Sequence, residues 1–199
     1  LDNFERLENV LNPIRLNFNL KIISVYIAVY ESFKDTMVTN VKYFYCFGFK
    51  DGKEIFEGYE ENVLSKVKSK KNKVIKATLK WFVDMEAITD EDCKTFEHIT
   101  DMRNKLAHEM AETIFEGIDN EVIILFHKMI ALYEKVEKWW IKEIEIPINV
   151  DITQVQYKTI DWENTSSVRL TMLKIMSDIA INDSGEYLKE YIKVKNETN

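Results

Sequence analysis

The sequence predicts an all-α protein: an antiparallel bundle of four long helices, with one or two shorter helices toward the C-terminal end. Three observations carry that expectation. Five glycines and two prolines in 199 residues leave little material for turns. A composition 46% apolar and 31% charged supplies a core and a solvated surface, which suits long helices joined by few loops better than a many-stranded sheet. Apolar residues also recur three or four positions apart over runs much longer than a strand.

Taking the elements in order, Ile14, Phe18, Ile22, Tyr26, Val29, Phe33 and Met37 hold the repeat of a core-facing helix over about residues 13–47. Pro13 suits its first turn, where no backbone donor is needed. Beyond Val41 the run V-K-Y-F-Y-C-F is ambiguous, because Asp51-Gly52 is a turn pair able to close a hairpin with K-E-I-F. Continued helix is the favoured reading, followed by a loop over residues 48–58.

A second helix is expected over residues 60–85, with Val63, Val67, Val74, Leu79, Trp81 and Phe82 as its looser apolar set. Between Lys66 and Lys80 lie seven lysines and no acid, and on one helix Lys66, Lys70, Lys73 and Lys80 share a face suited to a phosphate backbone. The same pattern also describes an ordinary solvated face. Thr89 followed by Asp90, Glu91 and Asp92 reads as an N-cap with acids complementing the helix dipole, and Gly117 with Asp119-Asn120 ends the third helix. The fourth, over about residues 121–144, shows Val122, Leu125, Phe126, Met129, Tyr133, Val136 and Trp140 on one face and His127 opposite, as a surface histidine.

Pro147 marks the expected boundary between a bundle over residues 1–146 and a C-terminal extension, residues 147–199, packed on the same domain. An extended stretch to Asp161 precedes a helix capped by Asn164-Thr165-Ser166 and running to about Ile181. Asp183-Ser184-Gly185 is the expected break before a short helix over residues 186–194.

The longest apolar run, around Leu20–Tyr30, is interrupted by Lys21 and Ser24 and falls short of the ~20 residues that cross a bilayer. No signal-peptide pattern is visible, and Cys46 and Cys93 have neither metal nor redox spacing, so a reduced, cytoplasmic protein is expected. A net charge of −7 argues against a general nucleic-acid-coating protein but leaves room for a local basic patch.

The chemistry concentrates between Phe96 and Met110, read as one continuous helix. Phe96, Ile99, Leu106 and Met110 form an apolar stripe whose missing member is Arg103, a costly core position for an unpaired cation. Glu97, Asp101, Asn104 and His108 repeat the spacing one residue on, as a polar stripe with His98 at its edge. At about 100° per residue, Arg103 and His108 point roughly 140° apart, so a second copy of the helix is needed for them to converge. From residue types alone, the favoured reading is Arg103 paired with Glu97 or Asp101 and a His108 that merely caps or lines the bundle.

The six residues Arg103-Asn104-Lys105-Leu106-Ala107-His108 resemble the R-N-x-x-A-H signature of the HEPN superfamily. That resemblance implies a metal-independent endoribonuclease of toxin or abortive-infection type, with RNA as substrate and neither cofactor nor metal. It implies a homodimer whose cleft joins Arg103 and His108 of two protomers, with an antitoxin or other defence-system protein as a further partner and no membrane association. Arg103, Asn104 and His108 inherit the catalytic roles, with Glu97 and Asp101 supporting them and Lys66, Lys70 and Lys73 following the RNA backbone. Some toxin members carry H-x-Y after the signature, whereas this chain has His108-Glu109-Met110, so no tyrosine role carries over. The alternative is a catalytically silent HEPN-like domain that binds RNA, a nucleotide or a protein. No glycine-rich phosphate loop or nucleophile elbow points to another enzyme class.

Overall fold

The computed structural model describes residues 2–149, 152, 154–182 and 185–198. It is 77% helix and 5% strand, which makes the chain predominantly helical. In chain order the elements are α1 (Asn3–Leu11), α2 (Pro13–Phe44), β1 (Cys46–Lys50), β2 (Lys53–Phe56), α3 (Tyr59–Asn62), a 3-10 turn (Leu64–Lys66), α4 (Lys73–Asp84), α5 (Asp90–His108), α6 (Met110–Glu116), α7 (Asn120–Trp140), a π-helical turn (Ile141–Glu145), α8 (Ile146–Ile148), α9 (Gln154–Thr159), α10 (Val168–Asn182) and α11 (Glu186–Thr198).

Several boundaries differ from the sequence expectations, each for a local reason. The helix from Pro13 stops at Phe44, and residues expected to continue it or form a loop build a two-stranded antiparallel hairpin instead. Asp51 and Gly52 adopt φ of 52° and 73°, the paired positive values required by a two-residue hairpin turn. The expected helix over residues 60–85 is divided into α3, the 3-10 turn, a loop and α4. Lys68, Lys70 and Lys71 crowd like charges along this loop, where Val67 is the one apolar residue available to seat a helix. Asn72, at φ 55°, then turns the chain into α4.

Toward the C-terminus, α9 lies in the stretch expected to be extended. Pro147 occupies the first turn of α8, where its missing N–H costs nothing. Ser167 caps α10, its Oγ accepting from the Leu170 N–H at 3.0 Å. The expected break at Asp183-Ser184-Gly185 involves residues 183 and 184, which lie outside the described residues.

The chain forms two compact units, each assembled from separated segments. The first comprises residues 1–29, 99–130 and 166–199. Its core joins Ile22, Ile23 and Tyr26 of α2, Ile99 and Leu106 of α5, Phe126 and Met129 of α7, and Leu170 of α10, all at 0% exposure. The Tyr26 and Phe126 rings lie 5.4 Å apart, and the Tyr26 hydroxyl donates to the Ile99 carbonyl at 3.2 Å, so the phenol buries its ring without stranding its polar end.

The second unit comprises residues 30–98 and 131–165. Phe33 stacks on Tyr133 at 4.6 Å and meets Phe96 edge-on at 5.6 Å, while the Tyr133 hydroxyl lies 2.8 Å from Thr36 Oγ1. Trp81, Phe82 and Trp140 extend this aromatic core, and Trp81 Nε1 donates to the Tyr45 hydroxyl at 3.1 Å. Each fully buried side chain of this size contributes about 1.5–3 kcal/mol. The α2 repeat is buried from Ile22 to Met37, whereas Phe18 is half-buried and Ile14 is 81% exposed, so the expected core face does not reach the start of the helix. No described helix is long and apolar enough to cross a membrane.

Candidate functional site

The start of α5 is set by a reciprocal cap within the second unit. The Asp92 N–H donates to Thr89 Oγ1 at 3.2 Å, while Asp92 Oδ2 accepts from the Thr89 N–H at 2.8 Å and its hydroxyl at 2.9 Å. The Lys135 ammonium also reaches Asp92, at 2.6 Å. Burial favours the neutral Asp92 carboxyl, but the donors from Lys135 and Thr89 outweigh it and hold its pKa below the usual carboxylate value.

The register of α5 departs from the expected stripe at the residue that matters most. Phe96, Ile99 and Leu106 are buried as predicted, but Met102 takes the intervening core position at 6% exposure. Helical spacing permits either 99-102-106 or 99-103-106, and burying a thioether avoids the desolvation of a guanidinium. Arg103 therefore sits half-buried on the flank, beside half-buried Asn104. Arg103 Nη1 donates to Asn104 Oδ1 at 3.1 Å. Glu97 and His98, in the second unit, and Asp101 and His108, in the first, are exposed.

The helix expected to continue through Met110 ends at His108. Glu109 leaves helical geometry at φ −117°, ψ 30°, and α6 begins at Met110, which is 37% exposed and lies outside the buried stripe. The Glu109 carbonyl accepts from both the Thr113 N–H at 2.9 Å and its hydroxyl at 3.0 Å, so the break leaves no orphan acceptor there. His108 consequently occupies the last position of α5.

The segment following the signature is latched by residues whose role is not apparent from spacing. Arg6 of α1 pairs with Glu112 at 2.7 Å and also with Glu116, whose pKa is lowered chiefly by the Arg6 hydrogen bond. Buried Asn9 donates to the Phe115 carbonyl at 2.9 Å, and buried Asn19 accepts from the Ile118 N–H at 3.4 Å. Gly117, at φ 82°, ends α6 where an added Cβ would stand 3.2 Å from Asn9 Nδ2, so glycine serves both the backbone and this close approach.

Among the clefts of the first unit, two adjoin the segment after α5. The larger, about 920 Å³, is bordered by Ile14, Arg15, Phe18, Asn19 and Gly117; the smaller, about 350 Å³, by Met102, Lys105, Leu106, Glu109 and Val122. Arg103 and His108 line neither, although Lys105 and Leu106 of the signature border the smaller one.

The expected lysine face is not formed, because its members fall on different elements. Lys66 and Lys80 both pair with Asp84, at 3.1 and 2.8 Å, and Lys73 lies 3.5 Å from Glu60. Hydrogen bonds from Lys80 and Lys66 hold the Asp84 carboxyl below its ordinary pKa. Lys70 stands in the loop before α4 and borders a separate cleft with Glu31, Lys34 and Asp35. Cys46 and Cys93 are free thiols, and burial together with nearby Asp90 raises the Cys93 pKa. Among the described residues, no group of three or more His, Cys, Asp or Glu is placed to hold a metal ion. No protein-family model, curated protein or solved structure matches this chain.

Proposed function

We propose that this chain is a metal-independent endoribonuclease of the HEPN type, working as a homodimer whose composite site takes Arg103 from one protomer and His108 from the other. The observation that carries the reading is the R-N-K-L-A-H sequence on a packed helix, with Arg103 and Asn104 joined at its flank and His108 exposed at its last position. Assembly of the long helices into a four-helix antiparallel bundle belongs to the same proposal, as do a toxin or defence role and a cytoplasmic setting.

The reaction is internal transesterification. The RNA 2′-oxygen attacks the adjacent phosphorus, forming the 2′-O–P bond as the P–O5′ bond breaks. His108 takes the 2′-hydroxyl proton and, as the imidazolium so formed, returns a proton to the departing 5′-oxygen. Imidazole suits both tasks, since its unperturbed pKa of about 6.5 permits either protonation state near neutrality. Arg103 donates to the nonbridging phosphate oxygens as charge accumulates on them, with its guanidinium plane held by Asn104. Asp101, acidic and exposed on the same helix, takes the supporting role, while Glu97 falls in the second unit.

A second reading, a catalytically silent HEPN-like binding or scaffold domain, is favoured by the exposed apolar residues Phe4, Leu7 and Leu11 on α1. Incubation with total RNA in EDTA, beside His108→Ala, separates the two. The ribonuclease yields 2′,3′-cyclic phosphate and 5′-hydroxyl ends and spares DNA, while His108→Ala loses cleavage and keeps its fold. Products ending in 3′-hydroxyl and 5′-phosphate, loss of activity in EDTA, or undiminished cleavage by His108→Ala would overturn the mechanism.

A further inference from the structure

We infer that α10 and α11 form an interface between two copies of this chain, in which α11 of each copy covers the outward apolar stripe of α10 on the other. The surface lies in the first unit and carries none of the signature residues, so the inference does not draw on the ribonuclease reading.

The helix α10 is apolar on two sides. Leu170, Leu173 and Ala180 are buried, while Val168, Met172, Met176 and Ile179, spaced by three and four residues, form a second stripe that is 37–76% exposed. At about 100° per residue the two stripes point roughly 140° apart. A surface helix keeps the side away from its core polar, and a helix apolar on both sides belongs in an interior.

The neighbouring helix lacks a seat altogether. Every residue of α11 from Glu186 to Lys195 is exposed. Leu188, Tyr191, Ile192 and Val194, at 47–62% exposure, fall within one half of its circumference. A helix of 13 residues is marginal in water unless an apolar face is packed.

These two surfaces do not cover each other within one protomer. Three residues join α10 to α11, and Tyr187 stands beside Asp178. Asp178 points about 100° away from Ile179, so α11 sets out along the flank of α10 and both apolar faces stay open. A second copy is free of that tether. Each copy then supplies one stripe and one helix to match it, the self-complementary condition for a closed twofold pair.

Area and charge both favour a second copy as the occupant. At roughly 100 Å² apiece the eight exposed side chains open on the order of 800 Å² per copy, the share one partner gives to a stable interface. From Val168 to Lys195 five cations stand against four acids, a nearly neutral surface on a chain of net charge −7. Two copies therefore meet here with little repulsion, whereas a strongly charged partner finds no opposing field to steer it.

The test measures the mass of the full chain in solution by light scattering across micromolar concentrations. The parent is a dimer. Met172→Glu and Tyr191→Lys, at side chains already outward in the protomer, each raise the dimer dissociation constant at least about tenfold by placing a charge among apolar groups, with unchanged circular dichroism. Met172→Leu, which conserves volume and polarity, keeps the dimer. An equimolar mixture of Met172→Glu and Tyr191→Lys regains it, because a mixed pair contains one unaltered α10–α11 contact.

A monomeric parent, a dimer that both charged variants leave intact, or a mixture that stays monomeric overturns the interface. Hydrogen exchange adds a further check: protection of residues 168–179 rises with protein concentration. Equal protection in a monomer overturns the exchange in favour of α11 closing on its own α10. A monomer that co-sediments with phosphatidylcholine vesicles, and loses that binding on Met172→Glu, overturns it in favour of a lipid surface. The ribonuclease reading fails separately: a dimer with this contact that leaves total RNA uncut removes catalysis alone, and a dimer that cuts RNA yet survives both charged variants removes this interface alone.

Discussion

Arg103 donates from Nη1 to Asn104 Oδ1 at 3.1 Å, so these neighbours form one polar unit on the flank of α5. Met102 fills the core position beside them, and Arg103 lies half-buried with its Nε enclosed. A planar guanidinium matches the geometry of a phosphate.

Asn104→Ala should therefore lower kcat/KM for RNA cleavage about tenfold or more, while changing stability by less than about 1 kcal/mol because the bond is partly solvated. Asn104→Asp should be worse, since a carboxylate beside Arg103 competes with the phosphate for the guanidinium and repels it. Cleavage kinetics and thermal unfolding of the two variants check both statements.

The roughly 140° between Arg103 and His108 on one helix makes the composite dimer testable by mixing. Arg103→Ala and His108→Ala should each be inactive alone, yet their mixture should regain cleavage, because a mixed dimer contains one site with intact Arg103 and His108. The double variant mixed with itself should regain nothing. Light scattering should report dimers throughout; a monomer at working concentrations, or mixing without recovery, removes the shared-site proposal.

The lysines no longer act as one face, and their variants should differ accordingly. Neutralising Lys70 should lower the salt dependence of RNA binding more than neutralising Lys66 or Lys73, which face Asp84 and Glu60. Exposed ion pairs of this kind contribute about 0–1 kcal/mol, so none of the three changes should unfold the protein. Binding isotherms at several salt concentrations make the comparison.

The Asp92 cap gives a stability prediction with a defined sign. Its carboxyl titrates below its unfolded value of about 3.9, so the anion's stabilising contribution is complete above that pH and disappears as pH falls through the lower folded value. Asp92→Ala should cost about 1 kcal/mol at pH 7 through loss of the Thr89 cap and Lys135 contact. The difference between parent and variant should close below about pH 4, as followed by urea unfolding across pH.

Signals confined to a few neighbouring residues were legible in the sequence. The three-four repeat from Ile22 to Met37, the Thr89–Asp92 cap, Pro13 at a helix start and Gly117 at a helix end each report a local backbone preference or an amphipathic face. The predominantly helical class follows from these signals and the scarcity of breakers. The signature residues were likewise visible as a pattern, and their proposed chemistry depends on residue types close together in sequence.

Tertiary structure decided between alternatives that local energetics left close. Helical spacing allowed Met102 or Arg103 in the core, and the cost of desolvating a cation placed Met102 there. Residues 45–56 could continue a helix or turn back as strands; in the fold, Asp51 and Gly52 take positive φ and Tyr45 receives the Trp81 indole N–H. The lysines between 66 and 80 shared a face only on a continuous helix, and mutual repulsion with too little apolar anchorage divided that helix. The pairing of Arg6 with Glu112, and of Asn9 with the Phe115 carbonyl, joins positions more than a hundred residues apart. Sequence alone determined the helical faces and the chemical groups of this protein; only tertiary structure decided which register was buried and which distant polar groups met, because those choices depend on desolvation and packing among segments that have no local signal for one another.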